Sequence, residues 1–359
     1  MTNKKISGLE IGVIVYCLVR SFVIGISFNG LINNTKQDSW IIPIIGIFIG
    51  IIYLNILKKI INYQPQNSIN GKIKSLFGTK FGFAINFFTT FLVFIFCILN
   101  FLNLTNLIHT QFLNNTPIYI ITLMFIITTI YILNKGINVI TRTSIIIFYI
   151  SLSLFFISLL GLIPTIEINN LKPFFQSTTH EYFNSILTFY CYNISPLFII
   201  SIIPKSKIQS KNIHKTIKTF FIISCINVFC VFFFTLGTFG YELTQIYEFP
   251  EFHILKHISF LGLTSRIESI LVIQWIFDLF IYSTFLIYYI CQSIKENFNL
   301  KNSKYINYII CIIIFIIIIR LSKYNIFLYH FINKYITLPL TLSTISIFII
   351  IILKIKISK

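Results

Sequence analysis

Ten long apolar stretches run through this chain, and 20 of its 28 basic residues fall in every second gap between them. A bilayer core of ~30 Å asks a helix for ~20 apolar residues, and Lys and Arg collect in loops that stay on the cytoplasmic side. The spans read as 9–32, 40–61, 82–107, 116–134, 143–163, 182–203, 217–240, 267–292, 305–322 and 336–353. This pattern predicts an all-α polytopic membrane protein with ten transmembrane helices. Residues 1–359 then form one integral membrane domain, with both termini cytoplasmic. The formal charge of +18 follows from topology and attraction to anionic lipid, and implies no nucleic acid partner.

Five spans in each half has a geometric consequence. An odd first half makes the second enter from the opposite side, so structural repeats at about 9–163 and about 182–353 must be inverted. The first helix of each repeat is then expected to be discontinuous. In span 1, Gly25 weakens the helix within Val23-Ile24-Gly25-Ile26-Ser27. In span 6, Pro196 removes a backbone donor within Tyr192-Asn193-Ile194-Ser195-Pro196. Breaks in corresponding helices point to a midplane solute site, while the frequency of Gly and Pro in membrane helices offers a plainer explanation.

Two charges lie inside the apolar stretches. Counted along the helix at 1.5 Å per residue, Arg20 lies ~14–18 Å deep from one face and Asp278 ~18 Å deep from the other. A buried guanidinium needs a partner or water. A pair with Asp278, contact with a ligand carboxylate, or two separate polar pockets all satisfy that requirement. Trp275 and Tyr282 share a helical face with Asp278. Asn100, Asn103 and Asn106 align at three-residue spacing in span 3, either along an entry path or as packing bonds. The external segment 241–265 places Ile254, His257, Ile258 and Leu261 at helical spacing, which suits an interfacial or lid helix.

The seven cysteines all lie in apolar runs without CxxC pairs, and read as packing residues. Paired carboxylates, a His-x-x-x-His motif and a phosphate-cradling loop are missing from the sequence. No enzymatic activity, cofactor or metal is therefore expected.

Several segments together resemble the spore germination permease family, the B subunit of nutrient germinant receptors within the amino acid–polyamine–organocation transporter superfamily. Asp38-Ser39-Trp40-Ile41 opens span 2, Arg142-Thr143 enters span 5, and Asn170-Leu171-Lys172-Pro173-Phe174 follows it. Phe249-Pro250 precedes Leu255-Lys256-His257-Ile258, and Arg266-Ile267-Glu268-Ser269 leads to Trp275. The resemblance implies a LeuT-like five-plus-five inverted repeat with broken helices 1 and 6, in the inner membrane of a spore. It also implies an A-type membrane subunit and a C-type lipoprotein subunit as partners, and a small germinant, commonly an amino acid, as ligand. Carried over by position, Gly25, Ile26 and Ser27 would face the ligand, with Asn193, Ser195 and Pro196 opposite. Three features depart from the family pattern: Val23 stands where a second glycine is usual, Ser195-Pro196-Leu197 replaces Gly-aromatic-Glu, and Arg20 is not expected at its position. Asp38 is also placed to cap the free N–H groups of span 2.

Overall fold

A computed structural model describes residues 5–210, 212–258, 267–300, 304–324, 331 and 335–357. Among these, nine helical stretches are long and apolar enough to cross a membrane. The ten spans are all present, because one stretch, Val23–Asn62, joins the outer half of span 1 to span 2. The inner half of span 1 is α1 (Gly8–Ser21), followed by a π-type turn (Val23–Ser27) and α2 (Phe28–Thr35). A 3-10 turn (Lys36–Trp40) leads into α3 (Ile41–Asn62), and then come α4 (Ile69–Gln111), α5 (Ile118–Lys135) and α6 (Ile137–Leu162). Span 6 begins as α7 (Thr179–Phe189) and span 7 is α8 (Ile213–Ile246). Beyond it are α9 (Pro250–His253), α10 (Ile267–Leu271), α11 (Ile273–Asn297), α12 (Tyr305–Leu321) and α13 (Thr337–Ile357).

Burial sorts these helices into two groups. α1 is buried along almost its whole length, as is most of α11, whereas α5, α12 and α13 expose apolar faces such as Met124, Ile127, Ile309 and Leu342. An exposed apolar face costs nothing against lipid, so the spans wrap the inner pair without needing to be covered. α11 lies along α4 and packs on α1 and α6, while α8 packs on α1 and α3. Close approach of α3 to its neighbours depends on glycine. A Cβ at Gly46 would lie 2.2 Å from the Phe189 ring, and one at Gly50 would lie 1.9 Å from Phe221.

Local chemistry explains several boundaries that apolar periodicity missed. A capping box starts α1: the Glu10 amide donates to Ser7 Oγ, and the Ser7 amide donates to the Glu10 carboxylate. α4 begins at Ile69 rather than at residue 82, with its first turns folded back at Gly78, where φ is +76°. Lys72 of that arm is buried and caps the end of α3, donating to the carbonyls of Ile60 and Ile61 at 3.0 Å each. A short parallel pairing of β1 (Ile6–Ser7) with β2 (Ile208–Gln209) ties the chain's start to the loop after span 6. Among the described residues it is a small exception to a helical fold.

Asp38 does not cap α3. Its buried carboxylate accepts from the amides of Phe175 and Ser177, at 2.7 and 3.0 Å, and so pins the loop between spans 5 and 6. A carboxylate facing two free amides in a loop gains more than one facing a helix end that a preceding 3-10 turn already satisfies. Trp40 packs edge-on against Phe174, Phe229 and Phe233. In the same loop Asn170 donates to the carbonyl of Gly237, and the exposed Lys172, joined to Pro173 by a cis peptide, donates to Asn169.

Candidate solute site at the broken helix

Span 1 leaves helical geometry at two residues, Ile24 (ψ 116°) and Gly25 (φ 75°, ψ −86°). The left-handed φ explains why glycine is needed here. Inside a membrane every released main-chain group must find a partner, since each one left bare costs several kcal/mol. Asn103 of α4 donates to the Ile24 carbonyl. The Gly25 amide donates to Glu251 Oε1 at 2.7 Å, and the Ser27 amide reaches back to Phe22.

Span 6 faces this break and changes pitch there. α7 gives way to a π turn (Tyr190–Ile194) and then to a 3-10 helix (Ser195–Ile202), with Pro196 in its first turn. The path of the chain is not extended at any of these residues, so the interruption is one of winding. Asn193 bridges the two arms of span 1. Its Nδ2 donates to the Val19 carbonyl at 2.6 Å, and its Oδ1 accepts from Ser27 Oγ at 2.9 Å. Ser195 turns its hydroxyl back to Cys191, while its carbonyl accepts from Tyr53 at 2.9 Å. Gly25, Ile26, Ser27, Asn193, Ser195 and Pro196 are all buried, and Phe22 fills the space beside them with Phe96, Tyr192 and Tyr282. The site is closed in this conformation.

Arg20, one turn before the break, lies 3.1 Å through Nη1 from Asp278 Oδ2, with 1% and 0% of the two side chains exposed. Tyr16 accepts from Nη1 at 2.8 Å and Gln274 from Nη2 at 2.6 Å. The cluster extends on both sides, as Asn227 donates to Tyr16 and Gln274 donates to Ser158. Spans 1, 5, 7 and 8 are thus tied at one level. Trp275 is buried and lines a cavity of ≈ 20 Å³ together with Glu251, Gln274 and Ser158, which is room for about one water.

The asparagine row of α4 divides its contacts. Asn100 donates to Ser283 and to the Leu279 carbonyl of α11, Asn103 holds the break, and Asn106 donates to Glu248 of the segment after α8. That segment forms two short turns, α9 and a 3-10 turn (Ile254–His257), in place of one amphipathic helix. Ile254 and Ile258 are buried, Lys256 and His257 are exposed, and Leu261 lies outside the described residues. Among the other motif residues, Arg142 is exposed and Thr143 half-buried, Glu268 is half-buried, and Arg266 lies outside the described residues. It is the neighbouring Thr141 that reaches span 1, donating to Glu10.

A family profile described as "Spore germination protein" matches residues 11–326. The chain belongs to the spore germination protein family. Spore germination protein KB of Bacillus subtilis (strain 168) is 25% identical over 158 residues, which cover 42% of this chain and 41% of that relative. The aligned part therefore spans less than half the length of that curated relative. In three dimensions the permease is similar to a Na+-coupled sialic acid symporter in a substrate-bound outward-open state, with a TM-score of 0.65, 14% identity, and coverage of 93% of this chain and 77% of that one. It is also similar to a manganese transporter of Eremococcus coleocola, with a TM-score of 0.58, 12% identity, and coverage of 95% and 76%. These likenesses establish the LeuT-like fold of this permease.

Glu251 and Asn103 were not read from the sequence as parts of the site. Asn103 had a signal, its place in the asparagine row. Glu251 had none beyond being an acid in a loop.

Proposed function

We propose that this germination permease is the membrane subunit of a nutrient germinant receptor in the spore inner membrane, and that it binds a small polar germinant, an amino acid in the simplest case, between spans 1 and 6. The observation that carries this reading is the break at Ile24–Gly25, whose main-chain amide and carbonyl are held only by side chains from distant elements. Side-chain partners can be exchanged for a solute, whereas helical bonds cannot be given up in lipid without cost. Ligand would act by favouring one of two arrangements of the bundle, which requires different affinity for each. The A-type membrane subunit and the C-type lipoprotein subunit would read out that change.

A thermal-shift screen of amino acids and sugars on the purified chain tests the reading. A stabilising ligand should lose its effect in Asn193→Ala, which removes the bridge to Val19 and Ser27. An effect of undiminished size in that variant would count against the site. Solute transport coupled to a cation is the second reading, suggested by the two transporters of the same fold. Against it, Asp278 is already neutralised by Arg20, so a coupling cation at that level would have to displace a guanidinium. Ion-driven uptake into vesicles by this chain alone would favour transport.

A further inference from the structure

The Gly25 amide points at a carboxylate that belongs to the protein itself. Glu251 sits in α9, outside the spans, yet is 0% exposed. Only one of its oxygens is accounted for: Oε1 accepts from Gly25, and Oε2 has no hydrogen-bond partner. Leaving half of a buried carboxylate bare is expensive, and a merely structural contact would be served as well by a neutral side chain. The rest of the segment is stitched to the same place. Asn29 donates to the Glu248 carbonyl at 2.8 Å, Asn106 donates to the Glu248 carboxylate, and the fully buried Phe249 ring stands 3.0 Å from where a Gly25 Cβ would lie. The segment therefore closes the break from the face opposite the basic loops, and it does so with an acid at its tip.

We propose that Glu251 is a tethered ligand of the span-1 break: its carboxylate occupies the place that a small carboxylate-bearing solute takes, and the Phe249–Ile258 segment undocks when such a solute displaces it. This rests on the solute-site reading above and adds two claims, that the resting closure is an intramolecular competition and that the competing solute carries a carboxylate. Burial keeps that competition close to balance, because the docked acid gives up hydration that its one hydrogen bond to Gly25 only partly replaces. A tethered group acts at high effective concentration, so a half-satisfied one can still be displaced by free solute at moderate concentration.

The test places Ser27→Cys in the full-length chain in membrane vesicles and measures labelling by a membrane-impermeant methanethiosulfonate, against the same chain without that cysteine. Glu251→Ala and Glu251→Asp, whose side chains are too short to keep the 2.7 Å contact with Gly25, should each label about tenfold faster than the chain with Glu251, by loss of roughly one buried hydrogen bond. Glu251→Gln keeps an acceptor of the same shape and should fall between. In the Glu251→Ala chain, acetate and glycine should slow labelling, and glycinamide should not. Unchanged labelling in Glu251→Ala, in protein that remains monodisperse, overturns the closure. Equal protection by glycine and glycinamide overturns the carboxylate competition. The two readings fail separately. If a germinant shift that depends on Asn193 persists while Glu251→Ala labels no faster, the closure falls and the solute site stands. If labelling opens but neither acetate nor glycine slows it, the carboxylate competition falls, and the solute site is judged separately by the Asn193-dependent shift.

Discussion

Removing one member of the buried pair should cost far more than removing both. Asp278→Asn leaves the Arg20 guanidinium at 1% exposure with neutral partners only: Tyr16 at 2.8 Å, Gln274 at 2.6 Å and the faces of Tyr16 and Phe155. Breaking a buried pair from one side typically costs ~3–5 kcal/mol, and these remaining partners place this variant near the lower figure. Arg20→Met leaves Asp278 with a weak thiol donor, Cys17 at 3.7 Å, and should lie near the upper one. The double variant Arg20→Met/Asp278→Leu removes both charges and keeps roughly the same volume, so it should lie within ~2 kcal/mol of the parent chain. A double-mutant cycle of unfolding free energies, measured by SDS titration in mixed micelles, should then give a coupling of at least ~3 kcal/mol. If Asp278→Asn alone costs under ~1 kcal/mol, or if the double variant loses the sum of the two singles, the pair is not what holds spans 1 and 8 together.

Two glycines with nearly the same φ should respond differently to alanine. Gly78→Ala meets no atom within 4 Å and should lose only the strain of a Cβ in a glycine-only backbone region (φ 76°, ψ 177°), about 1–3 kcal/mol. Gly25→Ala adds a contact 2.5 Å from Asn103 Oδ1 and should cost at least ~2 kcal/mol more, read as melting temperature in detergent. Equal losses would show that the break is looser than it looks. The closure by Glu251 should also depend on pH. Burial, followed by the smaller effect of Glu248, raises the docked carboxyl from its ordinary value near 4.5 to about 8, despite the Gly25 amide. A raised docked value means that closure is strongest below about pH 4.5, weakens as pH climbs to about 8, and is level above that. The other charged groups around the segment leave this sign unchanged. His253 is held down to about 4 by burial and Lys256, and so stays neutral over that window, while Lys256 and His257 face outward and Arg20 lies beyond the cavity, bound to Asp278. Labelling of the Ser27→Cys chain, taken relative to its Glu251→Gln counterpart, should therefore rise across that interval; an identical pH profile in the two chains would remove Glu251 as the titrating group.

Hydropathy determined the membrane class and the ten spans, glycine and proline chemistry the interruptions at Gly25 and around Pro196, and counting along helices the similar depths of Arg20 and Asp278. Each of these depends on nearby residues, on lipid, or on counting along a helix, and no other part of the chain is needed to define it. Only the tertiary structure decided what fills the interruptions. The Gly25 amide is satisfied from 226 residues away and the Arg20 fork is shared with Gln274 from 254 away, and no local pattern encodes such a choice. The same holds for Asp38, whose carboxylate serves a loop 137 residues on rather than the helix beside it, and for Lys72, which α4 can bring to the end of α3 only by folding back at Gly78. A broken main chain in lipid must be satisfied by something, and packing determines which side chains are within reach.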